Sequence, residues 1–402
     1  MTSMPVAGLA SVWPAVAAIV LGTAGGPPRA PEPLSAAPPS RKGKSMNPMP
    51  WNAQANRRTL LRTAAALPLA AVAGAALEGT AAAADAPGLP DFAPVPAAAT
   101  GPDLNDSGYF VGRIGGNLYW VTDGYYQAMF LSTREGVVLV DAPPTIGHNL
   151  LRAIAEVTRA NGRPSKVTHL VYSHSHADHI GASSIFGKDV VRIGHAECRR
   201  LLRRDNDPNR PAPSVTFEDR YTLHVGGERL ELAYHGPNHS PDNIFIHAPE
   251  QKTLMVVDIL YPGWVPFKNL AVSQDIPAWL RAHDIAMGYP WRTLVGGHLG
   301  RLGVRADGDL QRAYMADLEA STRASMNLDP TPYFEKYGPQ GNSWAIFKTY
   351  LDAVAAQAAA PVIAKYTGVL AAADVFTLDN AAALVESFRI DAGMLGPFST
   401  RP

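Results

Sequence analysis

The sequence predicts an α/β protein, a four-layer αββα sandwich continued by a C-terminal helical extension. Three observations carry that expectation. Short apolar, β-branched runs alternate with helical stretches in two successive halves; side chains able to ligate a metal stand at the ends of those runs; and beyond Gly300 the periodic stretches are all helical.

In the first half, Asn117 to Pro143 reads as two or three strands broken at Asp123-Gly124 and Glu135-Gly136, both turn dipeptides. His148 to Gly162 has apolar residues at helical spacing and a closing glycine. Lys166 to Ser173 is a buried strand, Ile180 to Phe186 begins a helix, and Asp189 to His195 is another short strand. The next stretch, HAECRRLL, is helical, and Cys198 within it is a buried thiol. In the second half, Arg220 to His235 is a hairpin turning at Gly226-Gly227, and two strands follow, Asn243 to Pro249 and Thr253 to Pro262, joined by the turn PEQK. Three helices are expected beyond, in Asp309 to Met326, Trp344 to Tyr366 and Leu378 to Asp391. They carry no cluster of ligand-type side chains, so their expected role is to cover the sandwich or a subunit interface rather than to act as a lid.

The domain organisation predicted is a metal-binding domain at 87–303 and a helical extension at 304–402. Paired arginines in NRRTLLR stand before an Ala/Leu/Val run that ends in Ala84-Asp85-Ala86, an order that reads as a twin-arginine export signal at 46–86 and places the mature chain in the periplasm or outside the cell. Residues 1–45, with an apolar run short for a membrane span and interrupted by Pro14, are expected to be an upstream mis-start or disordered. The 35 basic and 35 acidic residues cancel. No bulk attraction to nucleic acid or an anionic membrane follows, and the expected partner is a small molecule; a homodimer is allowed, stable membrane insertion of the mature form is not. A single cysteine excludes an internal disulfide framework and a thiolate-rich zinc cluster.

The chemistry lies in SHSHADHIGA, which sets His174, His176, Asp178 and His179 directly after an apolar strand. Three imidazoles and a carboxylate packed this closely are costly to bury without a cation, and both are ligand types that zinc takes. His239 follows in the Gly- and Pro-fixed loop HGPNHSPDN, Asp258 ends the apolar run TLMVV, and His298 stands between glycines in VGGHLG. A buried carboxylate such as Asp258 must be paired or bound to metal.

These residues resemble the metallo-β-lactamase superfamily, from about Gly108 to Gly303, and His174-x-His176-x-Asp178-His179 matches its signature in full. The resemblance implies a two-zinc hydrolase: His174, His176 and His239 on one Zn2+, Asp178, His179 and His298 on the other, and Asp258 bridging. Two close cations bring the pKa of a shared water toward 7, so hydroxide is available to attack a carbonyl, and Asp178 would orient it. The loop HGPNHSPDNIFIHAPEQKTL is similar to that of zinc β-lactamases. Asp258, however, stands where the subclass B1 enzymes carry a cysteine, and Tyr261 where they carry a lysine that grips the drug carboxylate. Asp-x-x-Tyr instead resembles the acyl-homoserine lactonases, which implies a Tyr261 phenol bonded to the lactone carbonyl. Tyr125 and Tyr126, in the turn after WVTDG, and Trp264 and Phe267 are the expected pocket residues, suited to an acyl or aryl group. The expected function is ester or lactone hydrolysis; a zinc β-lactamase and a mononuclear-iron persulfide dioxygenase are the alternatives.

Overall fold

Strands buried on both faces set the architecture. In a computed structural model that describes residues 89–398, an antiparallel meander of β1 (Phe110–Gly115), β2 (Leu118–Thr122), β3 (Gln127–Ser132) and β4 (Val137–Val140) is followed by helix α1 (Asn149–Asn161) and strand β5 (Val167–Val171). The one-turn helix α2 (Ala177–Ile180) leads to β6 (Val191–His195), and α3 (Ala196–Asp205) to β7 (Val215–Phe217). These strands form one sheet in sequence order, parallel from β4 to β7. The second sheet holds β8 (Arg220–Val225), β9 (Glu228–Tyr234), β10 (Ile244–Ala248), β11 (Thr253–Val256) and β12 (Thr293–Val295), in the order β12-β11-β10-β9-β8. Between β11 and β12 lie α4 (Lys268–Val272), a short turn of mostly left-handed backbone rather than a regular helix, and α5 (Ile276–Gly288); α6 (Arg305–Ser325), α7 (Thr331–Tyr337), α8 (Ser343–Tyr366) and α9 (Ala373–Ile390) close the described chain. The expected export signal at 46–86 and the stretch at 1–45 lie outside the described residues.

Side chains alternate across a strand, and that alternation divides the apolar residues among three cores. Met129 and Leu131 of β3 meet Ile244 and Ile246 of β10 between the sheets. Ala128 and Phe130 face outward under Leu150 and Ile154 of α1. On the far side Phe245 and Leu254 pack with Trp279 of α5, Leu318 of α6, Val354 of α8 and Leu384 of α9. Helix, sheet, sheet and helix therefore follow in four layers, and the C-terminal helices belong to the last.

The Asn117 to Pro143 stretch resolves into three strands, and Gly226 and Gly227 both take positive φ, +56° and +88°, in the hairpin turn. Elsewhere the structure departs from expectation. Ile180 to Phe186 is not a continuous helix but the end of α2 and a 3-10 turn at Ser183–Phe186. Its backbone bonds sideways instead: Ala142 N donates to His179 O at 2.8 Å and Ala182 N to Ala142 O at 2.9 Å. Strands β1 and β7 and helices α5 and α7 were not expected. The Pro- and Ala-rich stretch before β1 is tied to α9, where Ala93 N donates to Asp374 Oδ2 at 2.6 Å.

Gln127 joins the two sheets at the edge where the site forms. Its Nε2 donates to Leu299 O and Arg301 O, both at 2.8 Å, and its backbone N donates to Gly297 O at 2.8 Å. Gly297 takes φ +83°, and a Cβ there would stand 2.7 Å from Val257 Cγ1. Gly297→Ala is therefore expected to cost roughly 1–3 kcal/mol and to displace His298. An unchanged denaturation midpoint together with wild-type metal affinity would contradict this.

Candidate metal centre

Four segments deliver the seven expected ligands to one edge of the sandwich. Two residues beyond β5, Ser173 N donates to Asp141 Oδ1 at 2.8 Å, and the chain then turns through His174 and His176 into α2, which carries Asp178 and His179. His239 lies in the β9–β10 loop, where Asn238 Oδ1 accepts from His239 N at 2.7 Å and from Asn243 Nδ2 at 3.0 Å. The same Asn243 amide donates to Val257 O at 2.9 Å, coupling this loop to the end of β11 and to Asp258. Asp258 takes φ +61°, a conformation that aspartate tolerates better than most residues. His298 follows β12 through Gly296 and Gly297.

The donor atoms form two groups, His174, His176, His239 and Asp258 in one and Asp178, His179 and His298 in the other, with each group's atoms within 4.8 Å of one another. Asp258 joins them. Its Oδ2 lies 3.1 Å from His239 Nε2, 3.5 Å from His174 Nε2 and 3.2 Å from His179 Nε2; its Oδ1 lies 2.7 Å from His298 Nε2. His239 Nε2 is 3.0 Å from His176 Nδ1, and His179 Nε2 is 3.1 Å from His298 Nε2. Ligands about 2.0–2.2 Å from a tetrahedral zinc lie roughly 3.3–3.6 Å apart; these spacings, 2.7 to 3.5 Å, are mostly somewhat shorter.

A cation fits the donor set on independent grounds. His174 Nε2 is fully buried with no hydrogen-bond partner, while its Nδ1 is 3.0 Å from Ser173 Oγ. The Ser173 hydroxyl can accept the Nδ1 proton, the arrangement that frees the Nε2 lone pair for a cation. Burial, and then the imidazoles of His176, His179 and His239, hold His174 well below the usual histidine range. Burial likewise pushes His239 down to about 4 against the pull of Asp258. Burial alone would lower His179 too, but Asp258, then Asp178 and Asp141, carry it up to about 9. For Asp258 burial would raise the pKa, yet His239, His298 and His179 outweigh it and hold the carboxyl well below its usual range. His174 and His239 are thus held neutral and Asp258 ionised, the forms that a divalent cation takes, whereas His179 is held protonated by the carboxylates around it and would give up that proton to a cation.

A cavity of 310 Å³ opens onto this centre, lined by Tyr126, Asp178, Tyr261, Trp264, Val265, Phe267, His298, Leu299 and Phe376. Three of the four expected pocket residues, Tyr126, Trp264 and Phe267, are on its wall. Tyr125 is not on the wall and is corrected: it lies in the bend before the Tyr126–His298 bridge and is 71% exposed, while Tyr126 takes the inward position. Tyr261 is buried and lines the cavity, but its hydroxyl donates to Asp258 Oδ1 at 2.9 Å rather than standing free for a substrate oxygen. The Tyr126 phenol, whose pKa is raised to about 12 by burial and the nearby Asp178 carboxylate, keeps its proton beside that carboxylate. Among the described residues, no lysine or arginine lines this cavity.

Two contributors were not anticipated. Asp141 is a fully buried carboxylate after β4, raised to about 6 by burial against the opposing pull of His179 and Ser173; its signal was an aspartate closing the run VVLV. Phe376, from α9, had none, because nothing local marks a helix residue whose partner is distant in the chain.

A family model described as the metallo-beta-lactamase superfamily matches residues 121–298. The chain is similar to the 2,4-dinitroanisole O-demethylase subunit alpha of Nocardioides sp. (strain JS1661), 28% identical over 222 residues, which cover 53% of this chain and 66% of that protein's length. It is also similar to the metallo-beta-lactamase type 2 of Elizabethkingia meningoseptica, 25% identical over 176 residues, covering 43% and 68%. Among solved structures, a metallo-beta-lactamase from Pontibacter korlensis is 24% identical and aligns over 51% of this chain and 97% of its own, with a TM-score of 0.43.

Metal held by these residues binds the folded state alone, so a chelator is expected to lower the melting temperature. With metal at about 100 times its dissociation constant, the loss is about 2.7 kcal/mol, or roughly 5–10 °C. Re-addition of Zn2+ should restore it. A melting curve indifferent to both treatments counts against the centre.

Proposed function

We propose a specific activity on a general premise: the chain belongs to the metallo-beta-lactamase superfamily, and the relatives it resembles include hydrolases. The activity is metal-dependent hydrolysis of neutral esters or lactones bearing an apolar acyl or aryl group. The observation that carries it is the cavity itself, walled by Tyr126, Trp264, Phe267 and Phe376, opening onto Asp178 and His298 and lacking a cationic side chain among the described residues.

His174, His176 and His239 would hold one cation, Asp178, His179 and His298 the other, and Asp258 would serve both. Bound there, two divalent cations, zinc by the donor types, supply Lewis acidity and bring water toward ionisation at neutral pH. The chain's own groups do the rest. Asp178, with 41% of its side chain exposed and on the cavity wall, takes a proton from the attacking water and passes it to the leaving oxygen. Tyr126, still protonated at neutral pH, is the phenol placed to donate to oxygen charge in the cavity. Tyr261 steadies the Asp258 carboxylate. The aromatic walls exclude water from the apolar group and orient it.

The same cavity weighs against a β-lactamase, since a drug carboxylate would enter it without a cationic partner. Two complete ligand groups weigh against a mononuclear iron enzyme. A second reading is cleavage of an aryl alkyl ether, favoured by the aromatic walls together with the likeness to the 2,4-dinitroanisole O-demethylase subunit. The export signal read at 46–86 supports a periplasmic or secreted location.

Metal-loaded protein should hydrolyse p-nitrophenyl esters and lactones with kcat/KM rising about fourfold per methylene until the cavity is full. Nitrocefin should turn over far more slowly. Faster turnover of nitrocefin than of every ester and lactone would sink the assignment, and release of 2,4-dinitrophenol from 2,4-dinitroanisole as the fastest reaction would replace it with the ether reading.

A further inference from the structure

Two buried amides of the C-terminal extension grip the segment between Asp258 and Leu270, one near each end. Gln311 of α6, 1% exposed, accepts from Tyr261 N at 2.7 Å through Oε1 and donates to Ile259 O at 2.7 Å through Nε2. Its orientation is set by His283. That ring's Nδ1 lies 3.0 Å from Trp279 O and so carries the proton, leaving Nε2, 2.9 Å from Gln311 Nε2, as an acceptor. The Trp279 indole donates to Asp258 O at 2.7 Å. The backbone carbonyls of Asp258 and Ile259 and the amide of Tyr261 are thus all bonded to side chains of α5 and α6, where Asp258 takes its left-handed conformation. At the other end Asn380 of α9, fully buried, accepts from Leu270 N at 2.7 Å and donates to Pro266 O at 2.9 Å.

What lies between the two amides is functional. Asp258 serves both ligand groups; Trp264, Val265 and Phe267 are cavity wall. Around Leu270, Asn269, Leu270, Ala271 and Val272 all have positive φ between +53° and +60°. Left-handed backbone of this length costs each non-glycine residue about 1–2 kcal/mol, so it persists only where its surroundings over-determine it.

We propose that Gln311 and Asn380 are positioning residues with divided roles, Gln311 fixing the Asp258 carboxylate between the two ligand groups and Asn380 fixing the apolar wall of the cavity. The inference rests on the dinuclear ester or lactone hydrolase reading. Each amide satisfies an N–H and a C=O of the same short segment, a bidentate hold that no apolar side chain can reproduce, and each leaves those groups buried and unpaired when removed. The extension thereby becomes part of the catalytic apparatus without touching substrate through either amide.

The test compares Gln311→Met and Asn380→Leu in the full chain loaded with Co2+, using metal content, the visible absorption of bound cobalt, melting temperature and separate kcat and KM for a long-chain p-nitrophenyl ester. Gln311→Met should shift the cobalt spectrum, lose part of the second metal equivalent and lower kcat by about tenfold or more. Asn380→Leu should keep the wild-type spectrum and two equivalents while raising KM for the long-chain ester by about tenfold, with little effect on the acetate ester. Should Gln311→Met not fold, His283→Phe removes the acceptor behind the amide and should reproduce its spectral shift in weaker form. If both substitutions change stability alone, or change kcat and KM alike with unaltered spectra, the division of roles is wrong while the hydrolase reading stands. A wild-type chain that binds no cobalt and opens no ester overturns both.

Discussion

The constraint on which the structure turns is the Asp258 carboxylate, 1% exposed and within 3.5 Å of an imidazole nitrogen from each of His174, His179, His239 and His298. An isolated carboxylate taken out of water is among the most costly groups a protein can bury. Here its charge is met from three other segments, so those segments must end at one edge of the sandwich. That requirement explains features that otherwise look unrelated: the sideways bonds of Ala142 with His179 and Ala182, the Asn243 amide reaching Val257 O, and Gln127 joining the sheets below His298. Each fixes the backbone next to a ligand rather than the ligand itself.

Much of this was legible because the signal is local. His174 to His179 sit together after an apolar strand, and Asp258 and His298 each close a run whose burial could be read from composition, so the ligand set and the layered fold follow from short-range pattern. Adjacent residues are where such reading loses resolution. Tyr125 and Tyr126 are alike in the sequence, yet a shift of one residue decides which faces the cavity, and that register is fixed by pairing with the His298 segment. Helix α5 escaped notice because it is apolar on more than one side, as a helix packed between sheet and extension must be. Phe376, Gln311 and Asn380 had no local signature; their importance comes from contacts across long sequence separation.

The loop after Asp258 shows how strain is tolerated beside a site. Four left-handed residues would open if left to themselves. They are held because Leu270 and Ala271 are buried, Ser273 Oγ donates to Leu270 O at 2.6 Å, and the chain beyond returns to the His239 loop, where Gln274 N donates to His239 O at 3.0 Å and Asp275 N to Asn238 O at 3.1 Å. The loop that shapes the cavity is therefore closed back onto a ligand loop. Movement at one is felt at the other.

Metal ligation and cavity shape nevertheless come from different parts of the chain. Five of the seven donor residues stand at or just beyond strand ends or in short loops between strands, and Asp178 and His179 share the one-turn α2. The apolar wall is assembled from the β2–β3 turn, the loop after Asp258 and helix α9 of the extension. Packing against an aromatic wall adds affinity in proportion to area, while ligand geometry tolerates little displacement. Replacing Phe376 alters the first without approaching the second. A fold built this way can change what it selects by exchanging residues of a peripheral helix, while the buried carboxylate and its histidines keep the positions that ligation demands.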